Sequence, residues 1–138
     1  MKKILIATHG TLASGAKSTI ELLMGNMADI TCINAYIDPE ENLIDRLDDF
    51  FEKITEEDEV IVFTDIKGGS VNQKIVPYAK KGNIFLIAGF NLPILLETVI
   101  ESEKLTKERL LRSIEECRNQ MELIEVQIAG DSEEDFLA

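Results

Sequence analysis

The sequence has little of what several protein classes require. It holds one histidine, two cysteines, three prolines and no tryptophan, and 14 basic residues face 26 acidic ones, for a formal charge of −12. This charge argues against nucleic-acid binding, because general nucleic-acid binders contact phosphates through a basic surface. Cys32 and Cys117 form no C-x-x-C pair and have no neighbouring histidine. We therefore expect no metal site.

Long hydrophobic runs are also missing. No apolar run approaches the ~20 residues that span a bilayer. The opening decapeptide has two lysines and an apolar run of about five residues, shorter than the roughly 7–15 residues of a signal-peptide core, and it reads better as a first β-strand. We expect a cytoplasmic protein without direct membrane insertion. The length predicts one globular domain over residues 1–129, followed by an acidic, flexible tail at 130–138.

What the sequence does contain is an alternation of two kinds of segment. Short β-rich runs alternate with longer segments. In these longer segments apolar residues recur at spacings of three and four, which is typical of amphipathic helices. This alternation predicts an α/β fold with a doubly wound, mainly parallel sheet and helices on both faces. The predicted strands are Lys3–Ala7, Ile30–Tyr36, Glu59–Phe63 and Asn83–Ala88.

Two prolines predict local features of the helices. Asp38 followed by Pro39 predicts the N-cap and the first position of the second helix. Pro77 falls inside the predicted third helix, 70–81, where an interior proline costs about 3 kcal/mol unless the helix kinks or ends. We therefore expect a break near 75–77.

Candidate functional residues follow the carboxyl ends of the strands, where open parallel sheets bind their ligands. The first strand leads into residues 8–11, the third into 64–70 and the fourth into 89–93. If the strand order is 2-1-3-4, the first and third strands are neighbours. His9 and Asp65 then come within possible hydrogen-bonding reach of each other.

This pair has a direct chemical interpretation as a phosphoryl acceptor. A neutral imidazole nitrogen is a good nucleophile toward a phosphoryl group. Asp65 would hold the tautomer in which the other ring nitrogen of His9 carries the proton. It would also stabilise the positive charge that develops on the ring, as the aspartate of a catalytic triad does.

Residues on both sides of the pair are predicted to bind the phosphoryl group. Gly68 and Gly69, followed by Ser70 at a helix start, offer backbone N–H groups and a hydroxyl. Gly10 and Thr11, directly after the histidine, are predicted to line the same site. Three lysines would contribute if their side chains point inward: Lys17, Lys67 and Lys74.

Each of these residues has a simpler explanation when it is taken alone. A lone histidine is usually a surface residue or a satisfied core residue. Asp65 could cap the next turn, and Gly68-Gly69-Ser70 could be a tight turn into a helix. The combination, rather than any single piece, carries the functional interpretation.

Together these segments resemble the IIA component of the mannose/fructose/sorbose family of the bacterial phosphoenolpyruvate-dependent sugar phosphotransferase system. The resemblance rests on Thr8–Gly10, on Thr64-Asp65 followed by Gly68–Ser70, and on Ala88–Glu97, in matching order and spacing over about residues 1–128. Two departures flank the site: Lys67 replaces a frequent aromatic residue, and Val71-Asn72-Gln73 replaces a common Pro-Phe-Asn.

The resemblance implies a phosphotransferase that relays phosphoryl groups and needs no cofactor. The phosphocarrier protein HPr would phosphorylate His9, and Asp65 would orient the phosphorylated ring. A separate IIB component would accept the group and pass it to sugar during uptake through the membrane components IIC and IID. The resemblance also implies a homodimer in which a C-terminal antiparallel strand completes the neighbour's sheet, and Leu123–Ile128 is the matching segment.

Three alternatives remain open. The phosphotransfer subunit of dihydroxyacetone kinase should share the fold and the histidine, but it lacks the Thr-Asp-x-x-Gly-Gly-Ser pattern. A non-catalytic regulator would be phosphorylated on His9 without passing the group on. A flavodoxin-like nucleotide or flavin binder is disfavoured, because neither a Walker lysine motif nor G-x-G-x-x-G is present.

Overall fold

The computed structural model describes residues 1–128. Four strands form one sheet in the order β2-β1-β3-β4, with every neighbouring pair parallel, as predicted. The strands are β1 (Lys2–His9), β2 (Asp29–Ala35), β3 (Glu59–Thr64) and β4 (Ile84–Ala88). The helices are α1 (Leu12–Met24), α2 (Leu43–Glu52), α3 (Ser70–Ile75), α4 (Leu92–Ile100) and α5 (Lys107–Arg118), and a 3₁₀ helix, Val76–Lys80, follows α3 directly.

The central strands are buried on both faces, which explains their continuous apolar sequences. Because successive side chains of a strand point to opposite faces, Ile4 and Ile6 join one core cluster and Leu5 and Ala7 join the other. The first cluster includes residues of α1, α4 and α5, and the second includes residues of α2 and α3. Burying one such large apolar side chain stabilises the fold by about 1.5–3 kcal/mol. This packing holds the carboxyl ends of β1 and β3 side by side.

The second helix begins later than predicted. It starts at Leu43, and the side chain of Asn42 caps it by accepting hydrogen bonds from two amides of the first turn. Asp38 instead closes a turn before the helix, where its carboxylate accepts from the amide of Glu40 at 2.9 Å. The prediction of Asp38 as the N-cap is therefore wrong. Asn42 takes this position because it directly precedes Leu43, the first buried residue of the helix.

The break predicted in the third helix is confirmed. α3 ends at Ile75, and the chain continues from Val76 in the tighter 3₁₀ form, with Pro77 in its first turn. Proline is tolerated there because its missing N–H would have no intrahelical acceptor. The long predicted helix is thus two short elements, of which α3 carries the residues next to the candidate site.

The predicted fifth strand, Leu123–Ile128, pairs with no other strand within residues 1–128. Its apolar side chains are exposed, including Leu123 at 85% and Ile128 at 81%. The exchange of this strand in a dimer stays a prediction. The predicted acidic tail at 130–138 lies outside the described residues. None of the helices within 1–128 is long and apolar enough to cross a membrane.

Candidate functional site

The site lies at the carboxyl edge of the sheet, where the two central strands end. His9 is the last residue of β1, and Asp65 directly follows β3. Since Ala7 pairs with Thr64 in the parallel register, Asp65 lies one residue beyond the last pair and His9 two residues beyond it, at the same edge of the sheet. The predicted strand order therefore brings together the two residues that the chemistry requires.

The Asp65 carboxylate holds His9 by two hydrogen bonds to one oxygen. Oδ2 accepts from the His9 backbone amide at 2.9 Å and lies 2.9 Å from Nδ1 of the ring. Oδ1 accepts from the amide of Ile66 at 3.0 Å. Burial acts to raise the pKa of Asp65, but the His9 amide and imidazole together lower it below its ordinary value. An ionised carboxylate here only accepts hydrogen bonds, so the proton of neutral His9 belongs on Nδ1 and Nε2 keeps its lone pair.

On the opposite side of the ring, a chain of hydrogen bonds leads away from Nε2. Ser70 Oγ lies 3.3 Å from Nε2, and the Tyr36 hydroxyl lies 2.9 Å from the same Oγ. Lys74 Nζ then donates to the Tyr36 hydroxyl at 3.4 Å. The hydrogen bond with Ser70 lowers the pKa of the Tyr36 phenol, against the effect of its burial, and Lys74 also acts to lower it. The exposed nitrogen of His9 is thus connected to one hydroxyl, one phenol and one ammonium group.

Tyr36 is the site residue that sequence reasoning missed. The sequence pattern places it at the end of the second strand, but β2 stops at Ala35, and Tyr36 turns into a left-handed conformation with φ +66°. This conformation is uncommon for a residue with a side chain, and such outliers cluster at functional sites. It brings the Tyr36 ring to 5.4 Å from the His9 ring, between centroids. The strand order is the signal that identifies Tyr36 as a candidate. Because β2 lies parallel to β1 and next to it, the residue that follows β2 reaches the same edge of the sheet as His9.

Ser70 is the predicted phosphoryl-binding residue that hydrogen-bonds to the His9 ring. Gly69 also lies close, because a Cβ atom placed there would be 3.7 Å from Cε1 of His9. Thr11 occupies the N-cap position of α1, is exposed and makes no capping bond with its side chain. The predicted glycines donate their amides within the chain: Gly10 to Ala35 O, Gly68 to Asn72 Oδ1 and Gly69 to Ile66 O.

Among the three candidate lysines, Lys74 reaches the site. Within residues 1–128, no hydrogen bond or ion pair joins Lys17 or Lys67 to His9 or Asp65. The same part of the chain contains no group of three or more His, Cys, Asp or Glu side chains that could hold a metal ion. The arrangement suits an imidazole nucleophile whose tautomer is set by a carboxylate and whose free nitrogen faces hydrogen-bond donors.

Comparisons with known proteins show which proteins this chain is similar to. Residues 3–115 match the family described as the fructose IIA component of the phosphotransferase system. A protein assigned as a phosphoenolpyruvate-dependent sugar phosphotransferase system permease from Klebsiella pneumoniae is 28% identical, with a TM-score of 0.81 over 88% of this chain and 90% of the other. A IIA protein associated with the fucose utilization operon of Streptococcus pneumoniae is 27% identical, with a TM-score of 0.69 over 88% and 92%.

A third solved structure shares the fold at lower identity. The mannose/sorbose specific IIA subunit from Enterococcus faecalis is 18% identical, with a TM-score of 0.76 over 93% of this chain and 98% of the other. A search of curated proteins found no significant match.

Proposed function

The chain belongs to the mannose/fructose-type IIA components of the sugar phosphotransferase system, and we propose that it carries the phosphoryl group on Nε2 of His9. HPr supplies the group, and a IIB component accepts it. In this role the protein works in the cytoplasm beside the membrane components IIC and IID. The observation that carries the proposal is that the two ring nitrogens of His9 have different partners. Nδ1 is hydrogen-bonded to the Asp65 carboxylate, and Nε2 faces the Ser70 hydroxyl.

The transfer is a displacement at phosphorus by an uncharged nitrogen. Nε2 uses its lone pair to form a bond to phosphorus while the phosphorus–nitrogen bond of the phosphorylated donor breaks, and the donor nitrogen keeps that electron pair. The proton on Nδ1 stays in place. Positive charge that develops on the ring is stabilised by the Asp65 carboxylate, 2.9 Å away. Transfer to IIB runs the same steps with this protein as donor.

The other predicted residues shape the space around the phosphoryl group. Ser70 donates its hydroxyl to a phosphoryl oxygen. A Cβ at position 69 would come 3.3 Å from the backbone oxygen of Ile66 and 3.7 Å from Cε1 of His9, so glycine lets the loop pass close to the ring. Gly10 and Gly68 adopt left-handed φ values of +60° and +75°, which turn the chain away from the strand ends. The amides of Gly68 and Gly69 can bind the phosphoryl group only if they release their present acceptors, and Thr11 contributes from the rim.

Exposed apolar side chains near His9 support a protein, rather than a small molecule, as the donor. Leu12 and Ile66, each within three residues of a site residue, are 53% and 56% exposed. Ile37, next to Tyr36, is 55% exposed. Exposed aliphatic side chains around a polar site suit a docking protein, because a protein partner can bury them on association.

The proposed function is tested by phosphorylation of the wild-type chain. We expect incubation with phosphoenolpyruvate, enzyme I and HPr to add one acid-labile phosphoryl group, measured by intact mass, and omission of HPr to prevent it. Adding the IIB component should then remove the group. A folded chain that takes up no phosphoryl group from HPr would contradict the proposal.

The same experiment separates the alternatives. Phosphorylation without onward transfer to IIB would favour a regulator that is modified on His9. Transfer of the group to another subunit of a dihydroxyacetone kinase, in place of IIB, would favour the kinase subunit. The Thr-Asp-x-x-Gly-Gly-Ser sequence at 64–70 supports the sugar system over that kinase.

We also propose that the protein is a homodimer in which Leu123–Ile128 adds to the neighbour's sheet. In an extended segment Ile124, Val126 and Ile128 share one face, and all three are more than two-thirds exposed in the single chain. Pairing with a sheet edge would bury this face and satisfy open backbone groups on the edge strand.

Val126→Asp is expected to convert the dimer to a monomer, because it places a charge in the apolar face of the exchanged strand. Gln127→Asp is the matched control, since it adds the same charge on the opposite face of the strand and should leave the dimer intact. Light scattering coupled to size-exclusion chromatography measures the mass. A monomeric wild-type chain would contradict the proposal.

A further inference from the structure

A phosphoryl group on His9 creates an electrostatic problem in this protein. The group carries about −1.5 to −2 charge at neutral pH, whereas the chain has a net charge of −12 and holds the Asp65 carboxylate against the same imidazole ring. Such a site needs a nearby positive charge that is not already paired with a carboxylate.

Lys74 is the cation that the structure connects to Nε2. Its Nζ donates to the Tyr36 hydroxyl and lies 5.5 Å from the centre of the Tyr36 ring. Within residues 1–128, no carboxylate lies within 4.0 Å of this ammonium. Tyr36 and Lys74 line a cleft beside the site, and Arg46, which lines it too, pairs with Glu41 at 3.0 Å. The charge of Lys74 is therefore available to a ligand at the mouth of the site.

The Tyr36 hydroxyl links the ammonium of Lys74 to the hydroxyl of Ser70. Ser70 and Lys74 are four residues apart on α3, so their side chains lie on the same face of the helix. The Tyr36 hydroxyl touches both, at 2.9 Å from Ser70 Oγ and 3.4 Å from Lys74 Nζ. The left-handed backbone of Tyr36 directs its ring over this face.

We propose that Lys74 pairs with the phosphoryl group on Nε2 of His9, and that Tyr36 is a positioning residue that directs Lys74 and Ser70 toward it. The inference rests on the proposed phosphorylation of His9 and adds the group that balances its charge. A phosphoryl group bonded to Nε2 replaces the hydrogen bond that now joins this nitrogen to Ser70 Oγ, 3.3 Å away, so the serine side chain rotates aside to donate to a phosphoryl oxygen. Tyr36 and Lys74 follow Ser70 in the same hydrogen-bond chain, so rotation of the flexible lysine side chain can carry its ammonium from the phenol to a phosphoryl oxygen.

The expected consequence is a shift in the ionisation of the phosphoryl group itself. Lys74 favours the dianion over the monoanion, so it lowers the second pKa of the phosphorylated histidine. Other charged groups around the cleft are Glu40, Glu41 and Arg46, and Asp65 lies on the Nδ1 side. Their effects are common to all variants below, so a comparison between variants isolates the lysine.

The test follows the phosphoryl group directly and does not depend on any protein donor. Phosphoramidate phosphorylates histidine chemically: its phosphorus–nitrogen bond breaks, ammonia leaves and the bond to Nε2 forms. The ³¹P chemical shift of the product is then measured against pH. We expect Lys74→Gln to raise the second pKa of the phosphoryl group by about 0.5 to 1, and Lys74→Arg to restore the wild-type value.

Two matched controls make the result specific. Lys80→Gln removes the same charge from an exposed position on the adjoining 3₁₀ helix and should leave the titration unchanged. Tyr36→Phe, which keeps the ring but loses the hydroxyl, should give a smaller shift in the direction of Lys74→Gln. Tyr78→Phe, which loses a hydroxyl bonded to Asp48, should give none.

The outcomes separate this inference from the proposed function. If Lys74→Gln titrates like the wild type while His9 is phosphorylated, the inference is overturned and the relay stands. If phosphoramidate modifies His9 but HPr does not, the relay fails, and the ³¹P titration still decides the role of Lys74. A wild-type chain modified by neither donor would overturn both.

Discussion

His9→Ala is expected to abolish phosphorylation of this protein. The sequence contains no other histidine, so no second imidazole can take over the transfer. The side chain of His9 is 41% exposed, and its loss leaves the Asp65 carboxylate bonded to the backbone amides of residues 9 and 66. We therefore expect the variant to fold like the wild type and to show no phosphoryl adduct by intact mass after incubation with phosphoenolpyruvate, enzyme I and HPr.

The control for this variant is its thermal unfolding, which should match that of the wild type. Ser70 is the nearest hydroxyl to the site, at 3.3 Å from Nε2, and is the natural competitor as acceptor. A phosphoryl group on His9→Ala that survives acid would identify a phosphate ester on a serine or threonine and contradict the histidine relay. An acid-labile adduct that is lost from the variant would support it, because phosphorus–nitrogen bonds hydrolyse in acid.

Asp65→Asn is expected to slow phosphoryl transfer by about 10²–10⁴-fold, with the fold retained. An equivalent change in a catalytic triad costs about 10⁴ because it leaves the imidazole in the wrong tautomer. Here an amide NH₂ facing Nδ1 would donate to that nitrogen and place the ring proton on Nε2, the nitrogen that must attack. The backbone amide of His9 would lose the acceptor that it has in Oδ2. The variant would also lose the negative charge that stabilises the phosphorylated ring.

Transfer rates for this variant are measured by quenched-flow mixing with phosphorylated HPr. Asp58→Asn is a matched control, because Asp58 is also a hydrogen-bonded carboxylate but lies with Lys3 at the opposite ends of the strands. It should leave the transfer rate near that of the wild type. Equal rates for Asp65→Asn and the wild type would remove Asp65 from the mechanism.

The same variant has a signature in stability against pH. Because the pKa of Asp65 is lower in the folded chain than in the unfolded chain, its ionised form stabilises the fold above the ordinary carboxyl pKa of about 3.9. That contribution is lost as the pH falls through the lower pKa of the folded state. The difference in unfolding free energy between wild type and Asp65→Asn should therefore shrink as the pH falls below the ordinary carboxyl pKa, which denaturant unfolding at a series of pH values measures.

The pairing of His9 with Asp65 is predictable from the sequence, given one assumption about topology. Continuous apolar runs locate the central strands, because a parallel strand covered by helices is buried on both of its faces. Ligand sites of parallel sheets lie beyond the strand ends, so the sequence alone makes residues 9 and 65 candidates. The order 2-1-3-4 then places them together, although they are 56 residues apart in the chain.

The partners of the glycine amides are not predictable in the same way. The sequence predicts that Gly68 and Gly69 offer free N–H groups, but they donate to Asn72 and Ile66. A sequence shows which backbone positions glycine makes accessible, whereas the acceptor that satisfies each N–H depends on how the loop folds back. Asn72, one of the departures from the family pattern, is such an acceptor.

The α/β architecture, the break at Pro77 and the candidate nucleophile all follow from the amino-acid sequence, since they depend on local periodicity, backbone restriction and residue type. The groups that face Nε2 follow only from the folded arrangement of the chain. Tyr36 fits a strand by its pattern, yet its left-handed turn brings its hydroxyl to Ser70, 34 residues away. The physical reason is that a pattern reports whether a residue is buried, whereas a hydrogen-bond chain depends on the distance and direction between segments that meet only after folding.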